Sequence, residues 1–253
     1  MGKRKKPPKL PQRAVGNTRL LYARVTTYQP DEVAAAAATA DVIILNWGLH
    51  YQVMDDYRRD LASAFAVLDK MAALPGKAVL FSETGAQHFK ASDARGYTTG
   101  EWEHRDKSAD AQCTCKPIED FNVNVRNRVL REVVGSGRFP NVRTLPFYEL
   151  TRPRWRWHFG NWSAACLPMH IPLASASPTL SLTRAHTARR RCFRSTKRPN
   201  GWNYYTCCDC THFCFSPAMW HAHLHSVKQE LLQATGIRSF VQQRMRDGLT
   251  TTT

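Results

Sequence analysis

An aspartate and a histidine, Asp209 and His212, stand three residues apart in a cysteine-rich stretch of the chain. A histidine can accept the proton of a hydroxyl nucleophile, and a carboxylate can fix its tautomer and stabilise the imidazolium that forms. Both residues precede a predicted helix, for which Ser216 is a suitable N-cap and Pro217 a suitable first residue. The pair is therefore a candidate general base with its orienting acid, although a solvated polar turn has the same composition.

A second polar group follows an apolar run, where segment 41–51 ends in Asn-x-Gly-x-His-Tyr. Asn46 stands at the end of a predicted strand, where the sites of parallel sheets lie. The simpler alternative is a turn at the end of a strand, in which Asn46 and Gly48 only provide the backbone shape.

The elements that must position these residues alternate along the chain. We predict strands at 18–28, 42–45, 78–81 and 142–147, and helices at 30–40, 55–74, 121–134 and from 217 to a stop at Gly236. The run 42–45 is continuously apolar, which is typical of a parallel strand that is buried on both faces. This alternation predicts an α/β domain with a parallel sheet, whose site lies beyond the carboxyl ends of the strands.

Four blocks of the sequence resemble, in their order, the PC-esterase and trichome-birefringence-like family of SGNH-type polysaccharide esterases and O-acetyltransferases. The resemblance covers roughly residues 20–158 and 208–232. The first block is segment 41–51, and the third is segment 145–153. The second is Ser-Glu-Thr-Gly-Ala-Gln-His-Phe at 82–89, which is followed by Gly-Glu-Trp at 100–102 and by Cys113. The fourth is Asp-Cys-Thr-His-Phe-Cys at 209–214.

The resemblance implies a three-layer α/β/α SGNH-hydrolase-like domain. In such a domain Asp209 and His212 would complete a Ser-His-Asp triad, and Asn46, Gly48 and His50 would belong to the oxyanion and substrate block. His88 would help to bind an acyl donor or a sugar, although a structural histidine fits equally well. The expected acceptor is a glycan or polysaccharide, and the donor is acetyl-CoA or another acyl donor that acts as a substrate rather than as a bound cofactor. No bound metal is expected.

The resemblance also implies passage through the secretory pathway to the Golgi, and disulfide bonding with Cys113, Cys210 and Cys214 as candidates. The sequence carries no signal peptide and no apolar run long enough to span a bilayer. It contains no Gly-Asp-Ser, the motif that carries the family's nucleophile. We therefore expect an N-terminally incomplete domain with little or no activity, because Ser82, Ser92 and Ser108 are not in a strand-to-helix elbow.

The net charge of +16 comes mainly from two basic segments, the first 13 residues and the stretch between Arg152 and Cys208 that contains no acid. Such segments are more often solvated tails than nucleic-acid-binding arms. The predicted organisation is a disordered tail at 1–18, one domain formed by 19–160 and 207–240, a disordered insertion or translated intron at 161–206, and a tail at 241–253.

The rival interpretation is a basic, zinc-dependent module that binds nucleic acid. Its ligands would come from Cys207, Cys208, Cys210, Cys214, His212, His221 and His225. The pairs Cys210-x3-Cys214 and His221-x3-His225 imitate a zinc finger, but only six residues separate them, against about twelve in a standard finger. A catalytically dead relative that binds glycans is a third alternative.

Overall fold

The computed structural model describes residues 12–15, 18–106, 115–119, 124–158, 196–197, 203–204, 210–211, 213 and 217–250. The strands are β1 (Gln12–Val15), β2 (Thr18–Leu21), β3 (Val42–Leu45), β4 (Ala78–Ser82), β5 (Val142–Leu145), β6 (Thr196–Lys197) and β7 (Asn203–Tyr204). The helices are α1 (Pro30–Thr39), α2 (Met54–Ala72), α3 (Val125–Gly135), α4 (Tyr148–Thr151), α5 (Pro217–Gln233) and α6 (Thr235–Thr250). Short 3-10 helices cover Trp102–His104 and Trp155–Trp157.

Strands β3, β4 and β5 form a parallel sheet with β4 in the centre. In its register Ile43 pairs with Val79, and Val79 pairs with Val142. All five residues of β4 are buried, which explains why its sequence is apolar without alternation. The predicted α/β class with a parallel sheet is confirmed.

The described residues group into two compact units. The first consists of Met1–Thr84, Val123–Tyr148 and Ala222–Thr253, and it contains the parallel sheet. The second consists of Gly85–Asn122 and Glu149–His221, and it contains both 3-10 helices. The single domain expected at 19–160 and 207–240 stays a prediction.

The core of the first unit is built on α2. This helix buries Tyr57, Leu61, Phe65, Leu68 and Met71, the apolar stripe that the sequence spacing predicts. Phe65 meets Phe81 of β4 and Phe139 edge to face, with ring centroids 5.4 and 5.8 Å apart. Full burial of each such side chain stabilises the fold by about 1.5–3 kcal/mol.

Several elements lie where the sequence analysis places something else. Strand β1 lies within the region assigned to a basic tail and pairs with β2, which occupies only the start of the strand predicted at 18–28. Helix α6 extends over most of the assigned C-terminal tail. Strands β6 and β7 pair within the segment assigned to an insertion, most of which lies outside the described residues. Gly236 is the second residue of α6 rather than the end of a helix. A Cβ there would lie 2.2 Å from the Leu74 carbonyl oxygen, which explains why this residue is a glycine.

None of the described helices combines the length and the apolar character that crossing a membrane requires.

A buried carboxylate fixes the end of β4. Glu83 is 3% exposed, and its Oε1 accepts hydrogen bonds from Nε and Nη2 of Arg131 at 3.1 and 2.7 Å. Its Oε2 accepts from the backbone N–H groups of Phe147 and Tyr148 at 3.2 and 3.0 Å. Four donors thus satisfy one buried charge, which joins β4, α3 and the segment that follows β5.

We predict that Glu83→Ala lowers the free energy of unfolding by about 1–3 kcal/mol, because it removes the acceptor of the buried Tyr148 N–H and of the half-buried Phe147 N–H, while the half-exposed Arg131 guanidinium can turn to water. The measurement is urea unfolding followed by circular dichroism. The matched control is Glu132→Ala, which removes a carboxylate that is half exposed and 2.8 Å from Arg58. Glu132→Ala is expected to lower the free energy of unfolding by less than about 1 kcal/mol, because the ion pair that it removes is exposed. Equal losses in both variants would contradict the structural role of Glu83.

Candidate functional site

Polar side chains gather in the first unit at the carboxyl ends of β3 and β4. Asn46 follows β3 directly, is exposed, and donates from Nδ2 to the backbone oxygen of Ser82 at 2.7 Å. This bond joins the ends of the two strands. A side-chain amide has two N–H donors, so one donor of Asn46 remains for a ligand. His50 is exposed in the same loop.

Gly48 occupies the turn after β3 with φ of 146°. Its carbonyl oxygen accepts from Nε of Arg126 at 2.8 Å and from the Tyr51 N–H at 2.9 Å. A Cβ at this position would lie 3.0 Å from the Tyr57 hydroxyl and 3.2 Å from the Thr84 hydroxyl. Glycine is therefore required at position 48 both by the positive φ and by the lack of room for a side chain beside Tyr57 and Thr84.

The first turn of α3 holds both strand-end loops through two side chains that the sequence analysis did not single out. Asn127 accepts from the Thr84 N–H at 2.8 Å and donates to the Thr84 carbonyl oxygen at 2.9 Å. The buried guanidinium of Arg126 donates to the carbonyl oxygens of Gly48 and Tyr51 at 2.8 and 3.0 Å. Buried backbone groups outside a sheet ladder need such partners.

In the second unit, two histidines form a fully buried pair. Nε2 of His88 lies 2.8 Å from the Arg152 carbonyl oxygen, and Nδ1 of His88 lies 2.5 Å from Nε2 of His158. The Arg152 carbonyl can only accept, so Nε2 of His88 carries the proton and Nδ1 is the acceptor for His158. Burial lowers the pKa of His88 from 6.5 to about 4, against the smaller opposite effect of the Arg152 hydrogen bond. His88 is therefore neutral at pH 7.

Described residues of segment 209–214 contact this pair. The His88 N–H donates to the Cys210 carbonyl at 2.9 Å, and Nε2 of Gln87 donates to the Thr211 hydroxyl at 3.2 Å. The Phe213 ring lies 4.0 Å from the His158 ring, centroid to centroid. The structure thus brings parts of two of the predicted blocks, 82–89 and 209–214, into contact within this unit. Asp209 and His212 themselves lie outside the described residues, so their roles stay a prediction.

A disulfide joins Cys210 to Cys115, across 95 residues of sequence. Cys210 is one of the cysteines that the sequence analysis singles out for pairing, whereas Cys115 is not. The other two, Cys113 and Cys214, lie outside the described residues. A cysteine binds zinc as a thiolate, so Cys210 cannot serve the rival zinc site while this disulfide is intact.

The sequence offers no spacing rule that would have found Arg126, Asn127, His158 or Cys115. Arg126 and Asn127 are polar residues at the start of an amphipathic helix, and such residues usually face solvent. His158 follows a Trp-Arg-Trp run, and Cys115 lies two residues after Cys113.

Comparisons of the chain with protein-family models, with curated proteins and with solved structures found no match.

We predict that Gly48→Ala lowers the free energy of unfolding by roughly 2–4 kcal/mol, from the left-handed backbone and the tight contacts with Tyr57 and Thr84. Gly137→Ala is the matched control, since Gly137 has φ of 73° and a Cβ there would meet nothing within 4 Å. Gly137→Ala should lower the free energy of unfolding by only about 1–2 kcal/mol, because it carries the backbone penalty without the close contacts. Chemical unfolding of both variants measures the difference, and equal losses would show that the space around Gly48 is not tight.

We predict a loss of stability on acidification that depends on His88. The folded-state pKa of about 4 lies below the ordinary value of 6.5, so the unfolded chain binds the proton first as the pH falls. Stability contributed by neutral His88 is complete above pH 6.5 and decreases by about 3 kcal/mol towards pH 4. Urea unfolding between these pH values measures this slope.

His88→Asn should reduce this slope by at least half, whereas His225→Asn should leave it unchanged. His225 is a suitable control because its side chain is exposed on α5. A slope that is the same in wild type and in His88→Asn would contradict the prediction.

Proposed function

We propose that the chain is an SGNH-type acyl esterase or O-acetyltransferase domain of the PC-esterase and trichome-birefringence-like kind, acting on glycan hydroxyls. The observation that carries the proposal is Asn46. It directly follows parallel strand β3, is held against the end of the next strand, and keeps one amide N–H for a ligand. An amide donor at this edge of a parallel sheet suits an oxyanion that develops on an acyl carbonyl.

In this chemistry, a serine oxygen attacks the acyl carbonyl and the alcohol leaves, so the acyl group is carried as an ester on the enzyme. His212 takes the serine proton and returns it to the leaving alcohol, Asp209 orients His212, and Asn46 donates to the oxyanion. Water or a glycan hydroxyl then releases the acyl group. The printed sequence contains no Gly-Asp-Ser, so we expect this chain to bind acylated glycans with little or no turnover.

The second unit adds independent support. Segments 82–89 and 209–214, which the resemblance treats as parts of one domain, contact each other through His88 and Cys210. Neutral His88 donates its one ring proton to a carbonyl oxygen inside the protein. That arrangement favours a structural role for His88 over the substrate-binding role considered from the sequence.

We also propose that the protein acts in the secretory pathway, as the resemblance implies for a Golgi enzyme. The Cys115–Cys210 disulfide supports this, because such bonds form and persist in oxidising compartments.

The test is a comparison of affinity for O-acetylated oligosaccharides and for the same oligosaccharides after alkaline deacetylation, measured by calorimetry. We predict that the acetylated form binds about tenfold more tightly, which corresponds to about 1.4 kcal/mol, because Asn46 donates to the acetyl carbonyl. Asn46→Ala should remove this preference. Hydrolysis of p-nitrophenyl acetate should stay at the level of the His212→Ala variant.

Gln52→Ala is the matched control, since Gln52 is another exposed amide in the loop after β3. It should keep the preference for the acetylated form. Equal affinity for both oligosaccharides, together with zinc-dependent binding of nucleic acid, would replace the proposal by the rival interpretation.

A further inference from the structure

Strand β3 has an outer edge that no described strand covers. Strand β4 pairs with one side of β3, and in the described part of the chain the sheet ends at β3. Val42 and Ile44 lie on the sheet face opposite to Ile43, and they are 39% and 49% exposed. Natural proteins protect such edges with charged residues or prolines, and the strand Val42–Leu45 contains neither. The composition of this edge therefore favours pairing with a further strand.

The ladder with β4 determines which backbone groups face outwards. Val42 pairs with Ala78, and the Ala78 N–H donates to the Asp41 carbonyl oxygen at 2.9 Å. In a parallel ladder with this bond, Ile43 turns its N–H and its carbonyl towards β4. Val42 and Ile44 turn theirs towards the outer edge. The two residues with exposed apolar side chains therefore also present the backbone donors and acceptors of this edge.

This edge is complementary to a second copy of itself. When two β3 strands run antiparallel about a two-fold axis at Ile43, Val42 of each copy lies directly opposite Ile44 of the other. Opposite residues whose N–H and carbonyl groups face each other exchange two hydrogen bonds, so these two pairs make four. Their side chains meet on the same face of the sheet. Shifting the axis by one residue, to Val42 or Ile44, places one of these two residues opposite a residue outside β3.

The charges beside the strand are compatible with this pairing. Asp41 is the charged residue next to β3, and its carboxylate lies 2.7 Å from the Lys77 ammonium. In the register centred on Ile43, Asp41 lies opposite Leu45 of the second copy, and the two Asp41 residues are about 13 Å apart along the strands. Like charges directly opposite each other destabilise a strand pair, and this register avoids them.

We infer that β3 is a dimerisation strand, through which two copies of the chain join their three-stranded sheets into one. The inference is independent of the proposed function. The second copy is the occupant that the edge specifies, because it presents outward backbone groups and exposed apolar side chains at the matching positions. Asn46 then lies opposite Ala40 of the second copy, so that each proposed site borders the turn between α1 and β3 of the other chain. The contact is small, and we therefore expect a weak, reversible dimer.

The experiment measures the dissociation constant of the full chain by sedimentation velocity over a range of protein concentrations. Ile44→Glu and Val42→Lys each alter both side-chain pairs, because the two-fold axis repeats every substitution, and each should raise the dissociation constant at least tenfold. The double variant Val42→Lys/Ile44→Glu places opposite charges across both pairs, and it should dimerise at least about threefold more tightly than either single variant. Val67→Glu is the matched control, since Val67 is a 40% exposed residue of α2, and it should leave the dissociation constant unchanged.

Amide hydrogen exchange of the wild-type chain tests the register without any substitution. The Val42 and Ile44 N–H groups should exchange slowly at high protein concentration and faster on dilution, whereas the Ile43 N–H, which faces β4, should not depend on concentration. The inference is overturned if the wild type is monomeric at every concentration, if Ile44→Glu dimerises like the wild type, or if the double variant is no tighter than the single variants. Protection of the Val42 and Ile44 amides in the monomer would also overturn it, because another segment of the chain would then cover this edge.

Discussion

The side-chain amide of Asn127 bonds both backbone groups of Thr84, and the rest of the proposed site depends on this bond pair. At the end of a parallel strand the backbone leaves the ladder while it is still buried, so its N–H and carbonyl need new partners. Asn127 provides both partners for the loop after β4, and the preceding residue, Arg126, donates to two carbonyl oxygens of the loop after β3. One turn of one helix therefore sets the geometry of both loops. Asn124, which caps that turn, is a part of the same support.

The regular elements of the first unit follow from the sequence because their residues obey simple periods. The run 42–45 is continuously apolar and is strand β3, and the stripe on α2 repeats at helical spacing. The expectation that β3 is buried on both faces is wrong, because β3 lies at the edge of the described sheet and its Val42 and Ile44 are exposed. The ends of helices are less predictable, since tertiary contacts decide them. Segment 217–236 was expected to be one helix that ends at Gly236, yet the break comes at Ala234, and the glycine serves a close approach to the Leu74 carbonyl.

The candidate site is less predictable than the fold, for a physical reason. Asn46 and Gly48 could be found because amide donors and glycines at strand ends have a recognisable local pattern. Arg126 and Asn127 could not, because their partners are backbone atoms 43 to 78 residues away, and no local spacing encodes those contacts. The partner of Cys210 was equally unpredictable, since Cys113 and Cys115 lie in one short segment and only the folded chain distinguishes them.

The distance in sequence between Cys115 and Cys210 has a consequence for the synthesis of the protein. Translation at roughly 5–20 residues per second separates the emergence of two such cysteines by about 5–20 s. During this interval Cys115 is still a thiol, and another cysteine, Cys113, lies two residues away. Thiol–disulfide exchange can correct an early wrong bond, because a thiolate that arrives later can attack it. Correct pairing thus depends on the conditions in which the nascent chain matures as well as on the folded structure.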